Sequence, residues 1–166
     1  MARILFITPQ ELTQTTIIGG NVDVDKYKMC IEQVQLRFIE PLLGSELYDK
    51  IIADIQADTL TGLYLTLFND YIKPITKYEA TADYIAISPY TLANNGLYKK
   101  SPENVEVVSQ KEVESLSVRY SSIAQTFVNR FDKWIGLNKQ NIPEYKLNQD
   151  GVNAEDINVN NGWYFD

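Results

Sequence analysis

Residues 38–51 read FIEPLLGSELYDKI, and the way this stretch turns decides the fold. Upstream of it, from Lys26 to Glu40, the apolar positions are Tyr27, Cys30, Ile31, Val34, Phe38 and Ile39. Their three- and four-residue spacing marks one face of a helix. Pro41 biases Glu40 away from the helical region. Gly44 supplies the left-handed residue that ends a turn, and Ser45 is placed to cap a second helix with Tyr48, Ile51, Ile52 and Ile55 on its inner face. The stretch therefore predicts an αα-hairpin with a tight corner. Leu42 and Leu43 in that corner must be covered, and each contributes roughly 1.5–3 kcal/mol if buried.

Working outward, a third helical segment carries Leu63/Tyr64, Leu67/Phe68, Tyr71/Ile72, Ile75, Tyr78, Ala82 and Ile85. Pro74 interrupts it, so a kink or two abutting helices is expected there. Residues 88–104 are punctuated by Pro89, Asn94-Asn95-Gly96 and Ser101-Pro102, a loop or a hairpin turning at Asn95-Gly96. SQKE at 109–112 is a capping box, and behind it Val113, Leu116, Tyr120, Ile123, Phe127 and Trp134 form the clearest helical stripe, widened by Phe131 and Ile135. Gly136 or Asn138 ends it. At the other end, RILFI (3–7) is extended and β-prone, and TPQE (8–11) starts a short helix with Thr8 as cap, Pro9 at the first position and Glu11 reaching back. Asp25 is placed to cap the helix that follows.

The expected fold is mainly α: a helical bundle of about four main helices with extended N- and C-terminal arms. Residues 1–145 form the domain and its N-terminal arm, and 146–166 form the C-terminal arm. That last segment is Asn-rich without a period of either kind, yet it finishes Trp163-Tyr164-Phe165. Three adjacent aromatics at a polar terminus call for a surface to bury against, one on another subunit being an option. We find no internal repeat.

Composition narrows the function classes. Lys and Arg number 15 against 22 Asp and Glu, for a formal charge of -7, so the field of the whole molecule opposes sequence-independent binding to a phosphate backbone. There is no histidine and a single cysteine, Cys30. An intrachain disulfide, a Cys/His zinc site and any imidazole-based triad are thereby excluded. The apolar run Ile4–Ile7 is too short for a signal peptide, and no stretch approaches a membrane span, which points to cytoplasm-like solvent.

The remaining motifs carry little chemistry. Asn21, Asp23, Asp25 and Glu32 mimic a calcium loop, but its obligatory turn glycine is replaced by Lys26. Asp150-Gly151 with Asn153, Glu155 and Asp156 reads as an acidic turn. Asp70, Glu79 and Asp83 lie mostly off the apolar stripe, with no acid pair forced to converge. Gly19-Gly20 lacks the Lys-Ser/Thr of a phosphate loop. A helix-turn-helix reading of the corner fails on charge, because Glu46, Asp49, Asp54 and Asp58 face one Lys50 on the would-be recognition helix. Tyr27, Tyr48, Tyr64, Tyr71, Tyr78 and Tyr120 fall on core stripes, so the tyrosines read as packing rather than as a base-stacking platform. No catalytic, cofactor-binding or metal-ligating residue is assigned, and the chain is read as a non-enzyme.

The order of these signals resembles the head-tail connector (adaptor) proteins of tailed bacteriophages, in the variant of crAss-like and related phages. The resemblance spans roughly residues 4–145. It rests on LFITPQEL and TTIIGGNVD, then KYKMCIEQVQLRFIEPLLGSELYDKI, YIKPITKYEA, a loop with NNGLYKK, and SSIAQTFVNRFDKWIGLN running into NKQNIPEY. EPLLGSELYDKI and YIKPITKYEA are its most distinctive parts. The resemblance implies a structural virion protein of the neck, made in the bacterial host cytoplasm. Copies would form a ring, a dodecamer if it matches the portal, between the portal protein and a downstream neck or tail protein. Packaged DNA would pass through without specific binding, a duty that acidic walls suit. Residues expected at partner interfaces are Ile4, Leu5 and Phe6, Leu42 and Leu43, and Trp163, Tyr164 and Phe165. The reading from a different class is a small helical ligand-binding or enzymatic bundle with a pocket of Tyr, Asn and Lys. A helical transcription regulator is disfavoured by the acidic helix after the corner.

Overall fold

The computed structural model describes residues 4–19, 24–93, 96–99 and 109–146. The protein is mainly α, with four main helices and one short one among the described residues. Helix α1 is Pro9–Thr15. Helix α2 runs through three joined parts: α-helical Val24–Val34, π-helical Gln35–Ile39 and α-helical Glu40–Leu43. Helix α3 is Ser45–Gln56. Helix α4 again has three parts, Gly62–Leu67, π-helical Phe68–Ile72 and Lys73–Ile87. A hairpin of β1 (Tyr90–Ala93) and β2 (Gly96–Lys99) follows, then helix α5 (Gln110–Asn138) and a closing 3₁₀ turn, Lys139–Asn141.

The corner is built differently from its sequence expectation. Glu40 is helical (φ -58°, ψ -48°), and the helix continues through Pro41 to Leu43. A wide turn just before the proline makes this possible. The Glu40 N–H donates to the Gln35 carbonyl, five residues back. A proline inside a regular α-helix clashes with the carbonyl four residues behind it and leaves that carbonyl without a donor. The wider turn splays those carbonyls away from the ring.

The same device recurs in α4, where the Lys73 N–H donates to the Phe68 carbonyl and Pro74 follows. The expected interruption at Pro74 is thus a π-turn within one continuous helical path. Although the sequence shows no repeat, FIEP (38–41) and YIKP (71–74) are two copies of one joint.

Gly44 makes the turn, at φ 78° and ψ 151°, a region that only glycine enters without strain. Its N–H donates to the Glu40 carbonyl (2.9 Å) and its carbonyl accepts from Tyr48 (3.0 Å). Gly44 is therefore the cap of α3, and Ser45, expected in that role, is the first helical residue. Asp25, likewise expected as a cap, already lies in the first turn of α2. Thr8 and Ser109 do cap. The Glu11 N–H donates to Thr8 Oγ1 (3.1 Å), and Ser109 and Glu112 form a reciprocal capping box. The Glu11 carboxylate lies 3.5 Å from Lys73 rather than turning back to its cap.

Helix α4 is the spine. Ile75, Thr76, Ala80, Thr81, Ala82, Tyr84 and Ile85 are all buried, because α2 and α5 pack against it on different flanks. Tyr27 meets Tyr84 edge-on (5.7 Å), and Arg37 pairs with Asp83 through both carboxylate oxygens. Across the other flank, Ser117 donates to the Ala82 carbonyl (2.9 Å), Ser121 donates to Glu79 (2.9 Å), and Tyr78 stacks on Phe127 (5.7 Å, 16°). The buried stripe of α5 is Ala124, Val128, Phe131 and Ile135. The aromatics chosen from sequence, Tyr120, Phe127 and Trp134, sit half-buried along its seam with α4.

The hairpin expected near Asn95-Gly96 is present, but Ala93 pairs with Gly96, so Gly96 belongs to the strand. Residues 142–146 return along the bundle. Ile142 is fully buried, Tyr145 meets Phe131 at 6.0 Å, and Lys146 reaches Glu46 at 2.6 Å.

Candidate functional site

Residues 4–7 are non-helical, as expected, but they lie on their own domain. Phe6 and Ile7 are both 1% exposed. The Phe6 ring wedges between α3 and α4, 5.4 Å from Tyr48 and 5.5 Å from Phe68. The backbone is held by a side chain acting as a strand. Gln35, in the π-turn of α2 and 4% exposed, accepts from the Phe6 N–H (2.9 Å) and donates through Nε2 to the Ile4 carbonyl (2.9 Å). At neutral pH an amide offers a donor and an acceptor side by side, as an ionised carboxylate does not, so it substitutes for one rung of a β-ladder. Sequence reading passed over Gln35, and its signal was a polar residue inside an apolar stripe.

This placement sorts the residues expected at partner interfaces. Phe6 is spent on the chain's own core, which corrects its assignment to a neighbour. Leu43, 0% exposed, is likewise a core residue. It anchors the corner to the bundle because the helix runs on through Pro41 and turns its side chain inward. Ile4, Leu5 and Leu42 are half-buried, and Leu5 and Leu42 rest on the core's edge. Trp163, Tyr164 and Phe165 lie outside the described residues. The acidic turn at 150–156 does too, as do Asn21 and Asp23 of the calcium-like pattern.

One cleft of about 530 Å³ opens between the end of α4 and the start of α5. Ile85, Pro89, Val113 and Leu116 give it apolar walls, and Glu112 and Arg119 stand among its lining residues. Glu112 is already committed there. Ser109 donates to it from both hydroxyl and backbone, which holds its carboxyl below the usual carboxylate range. Val113 and Leu116, read from sequence as core, are half-buried cleft residues instead.

The ionisable groups with shifted equilibria are structural. Burial, reinforced by the Asp83 carboxylate, pushes the Cys30 thiol up to about 12, leaving it a small inert hydrophobe at neutral pH. Tyr64 is also raised to about 12, by desolvation first and then by its hydrogen bond to Glu144 (2.5 Å). Among the described residues, no three His, Cys, Asp or Glu side chains gather closely enough to hold a metal ion. No described helix is long and apolar enough to cross a membrane.

The geometry defines a helical domain whose singled-out residues lock turns, caps and an N-terminal segment into place. The chain belongs to a family described as "Family of unknown function (DUF6712)", which matches residues 39–155 and so takes in the corner, α3, α4, the hairpin and α5. No curated protein and no solved structure matches it.

Proposed function

We propose that this protein is a structural, non-enzymatic subunit of a phage neck. Copies form a ring between the portal protein and a downstream neck or tail protein, with DNA passing through the channel. The observation that carries the reading is what the resemblance's two most distinctive stretches do. EPLLGSELYDKI carries Pro41, just after the π-turn Gln35–Ile39, and the Gly44 turn, and YIKPITKYEA carries the end of the second π-turn and Pro74. Their residues fix how α3 leaves α2 and how the parts of α4 run on from one another, which suits a part that must present the same outer surfaces in every copy. The acidic balance fits a channel that must not grip a sliding polyanion.

The test is a pull-down of the full chain with the portal protein encoded by the same genome, followed by electron microscopy of the product. A ring seated on the portal is the expected result. Failure to bind, or a neck built wholly of other polypeptides, overturns the proposal. The cleft between α4 and α5 favours a ligand-binding bundle as the second reading. A small molecule retained in that cleft, lost with Leu116→Asp, would decide for it.

A further inference from the structure

Helix α5 meets α4 along two edges of different character. On one, Ser117 and Ser121 hydrogen-bond across to α4, and helical spacing puts Glu114 and Asp132 in line with them. The other edge is aromatic. Tyr78 meets Tyr120 (6.3 Å) and Phe127 (5.7 Å), and Tyr71 meets Trp134 (5.3 Å). These five rings are half-buried, so each keeps apolar surface towards solvent. One turn before Tyr120, Leu116 carries the edge into the cleft between α4 and α5. Leu137, 85% exposed, continues it past Trp134. The strip from Leu116 to Leu137 is about 30 Å long.

Cations border the middle of this strip. Arg119 and Arg130 are exposed, and Lys77 is half-buried. Lys77 lies over the Tyr78 ring (4.7 Å) and Arg130 over the Phe127 ring (5.3 Å). No carboxylate pairs with any of the three among the described residues. The acids of this edge stand at its ends: Glu112 at the cleft, already bound to Ser109, and Asp70 next to Tyr71. In a chain of net charge -7 the strip is a local exception.

One part of the chain has the matching chemistry. Residues 147–166 carry Asp150, Glu155, Asp156 and Asp166 with no Lys or Arg, and they include Trp163-Tyr164-Phe165. They are also tethered within reach. Tyr145 packs on Phe131 at 6.0 Å, and from the level of Phe131 to that of Leu116 along α5 is about 22 Å. Trp163 follows Lys146 by seventeen positions, and a coil of that length has a root-mean-square span of about 20–25 Å. We infer that residues 150–166 dock on the aromatic edge of their own chain. Trp163, Tyr164 and Phe165 seat in the cleft beside Leu116, and the acids lie against Arg119, Lys77 and Arg130. The choice of edge is electrostatic, since Glu114 and Asp132 repel the same segment from the other one. Tethering holds it at roughly millimolar effective concentration, so a contact too weak to join separate molecules still closes within one. The inference stands apart from the ring reading without opposing it, because the seated aromatics become part of the outer surface that a neighbouring copy meets.

Tryptophan quenching tests it, since the chain has two tryptophans and Trp134→Phe leaves Trp163 as the sole reporter. In the full-length Trp134→Phe chain at micromolar concentration, acrylamide should reach Trp163 several-fold less readily than free tryptophan, and strong dilution should not change this. Adding Arg119→Glu with Arg130→Glu, both at exposed positions, should open Trp163 to the quencher while circular dichroism stays that of the parent. Leu116→Asp should do the same from the cleft. Glu114→Lys, on the other edge, should leave the shielding as it was. A second measurement is independent of fluorescence. The native thiol is buried, so Ser115→Cys in the cleft with Asn161→Cys should form a disulfide within one chain under mild oxidation, several-fold faster than Ser122→Cys with Asn161→Cys. Trp163 as open as free tryptophan would overturn the inference, as would shielding that survives both the arginine pair and Leu116→Asp. Shielding that grows with protein concentration, or disulfides between chains in preference to within them, would place the segment on another copy and overturn it too. Loss of shielding with Glu114→Lys equal to that with the arginine pair would sink the assignment of the edge.

Discussion

Replacing Gln35 with Ala removes the side chain that holds the N-terminal segment. Two hydrogen bonds are lost, to the Phe6 N–H and the Ile4 carbonyl, both 2.9 Å, each worth about 1 kcal/mol net. The Phe6 N–H is buried, and leaving it without an acceptor costs a further 1–3 kcal/mol, roughly. If the segment lets go instead, the Phe6 side chain alone forfeits about 1.5–3 kcal/mol of burial. Either route gives a loss of about 2–5 kcal/mol, a large part of the roughly 5–15 kcal/mol that holds an ordinary domain.

With a urea slope of about 2 kcal/mol/M, the midpoint should fall by roughly 1–2.5 M. Hydrogen exchange at the Phe6 amide should accelerate more than exchange in α4. Gln35→Glu sharpens the test. Its carboxylate still accepts from Phe6 but faces the Ile4 carbonyl with no proton to offer, so burial and that oxygen raise its pKa in the fold. A raised folded pKa means the native state holds the proton more tightly. The carboxyl's contribution is then complete below about pH 4.3 and is lost as pH rises through the folded value. Measured against Gln35→Ala at each pH, Gln35→Glu should gain stability on acidification. A Gln35→Ala chain within about 0.5 kcal/mol of the parent, the scatter of ordinary surface changes, with unchanged exchange at Phe6, would refute the clamp.

Three further outcomes are expected. Gly44→Ala forces a Cβ into φ 78°, ψ 151° and should cost about 1–3 kcal/mol in thermal or urea unfolding, with no loss of helix at 25 °C. Cys30, raised to about 12, should resist thiol reagents at pH 8 until the chain unfolds. Because its folded pKa lies above the unfolded value of about 8.5, its share of stability is whole below that pH and drains away towards pH 12. Unfolding curves of Cys30→Ala should show a shallower alkaline decline than those of the parent. Deleting residues 160–166 should leave the circular dichroism of the domain intact while reducing its incorporation into particles; loss of the fold itself would count against an interface role for the terminal aromatics.

Much of the fold was legible because its signals are local. The stripe over 27–39, the capping box at 109–112 and the glycine at 44 each act within a few residues, and each is where it was read. Helix α5 was legible as a helix, and its facing in part, since Phe131 and Ile135 of the predicted stripe are buried. Tyr120, Phe127 and Trp134 are large and apolar, so they looked like the core, whereas small Ala124 and Val128 pack closest to the bundle. Closeness of approach selects small side chains, and hydrophobicity alone does not report it. The N-terminal segment was misread for a related reason. RILFI has the composition of a strand, and its partner is one amide side chain 29 residues away from Phe6, a pairing no local pattern encodes.

The prolines hold the instructive error, because the corrective signal was present in the burial period. The buried residues Tyr27, Ile31, Gln35, Ile39 and Leu43 are spaced by four, as are Phe68, Ile72, Thr76, Ala80 and Tyr84. On a regular α-helix a four-residue step overshoots the face by about 40°, so five such positions could not share one core-facing side. A π-turn, holding more residues per turn, takes back part of that drift. Each series contains one, at 35–39 and at 68–72. A proline two residues after the wide turn is then tolerated rather than disruptive, and the same joint keeps the buried line straight along α2 and α4. Since those lines are what the two helices press together, the outward stripe of α2 is fixed by the same joint. Any surface that α2 offers to a neighbour inherits its register from Gln35–Ile39.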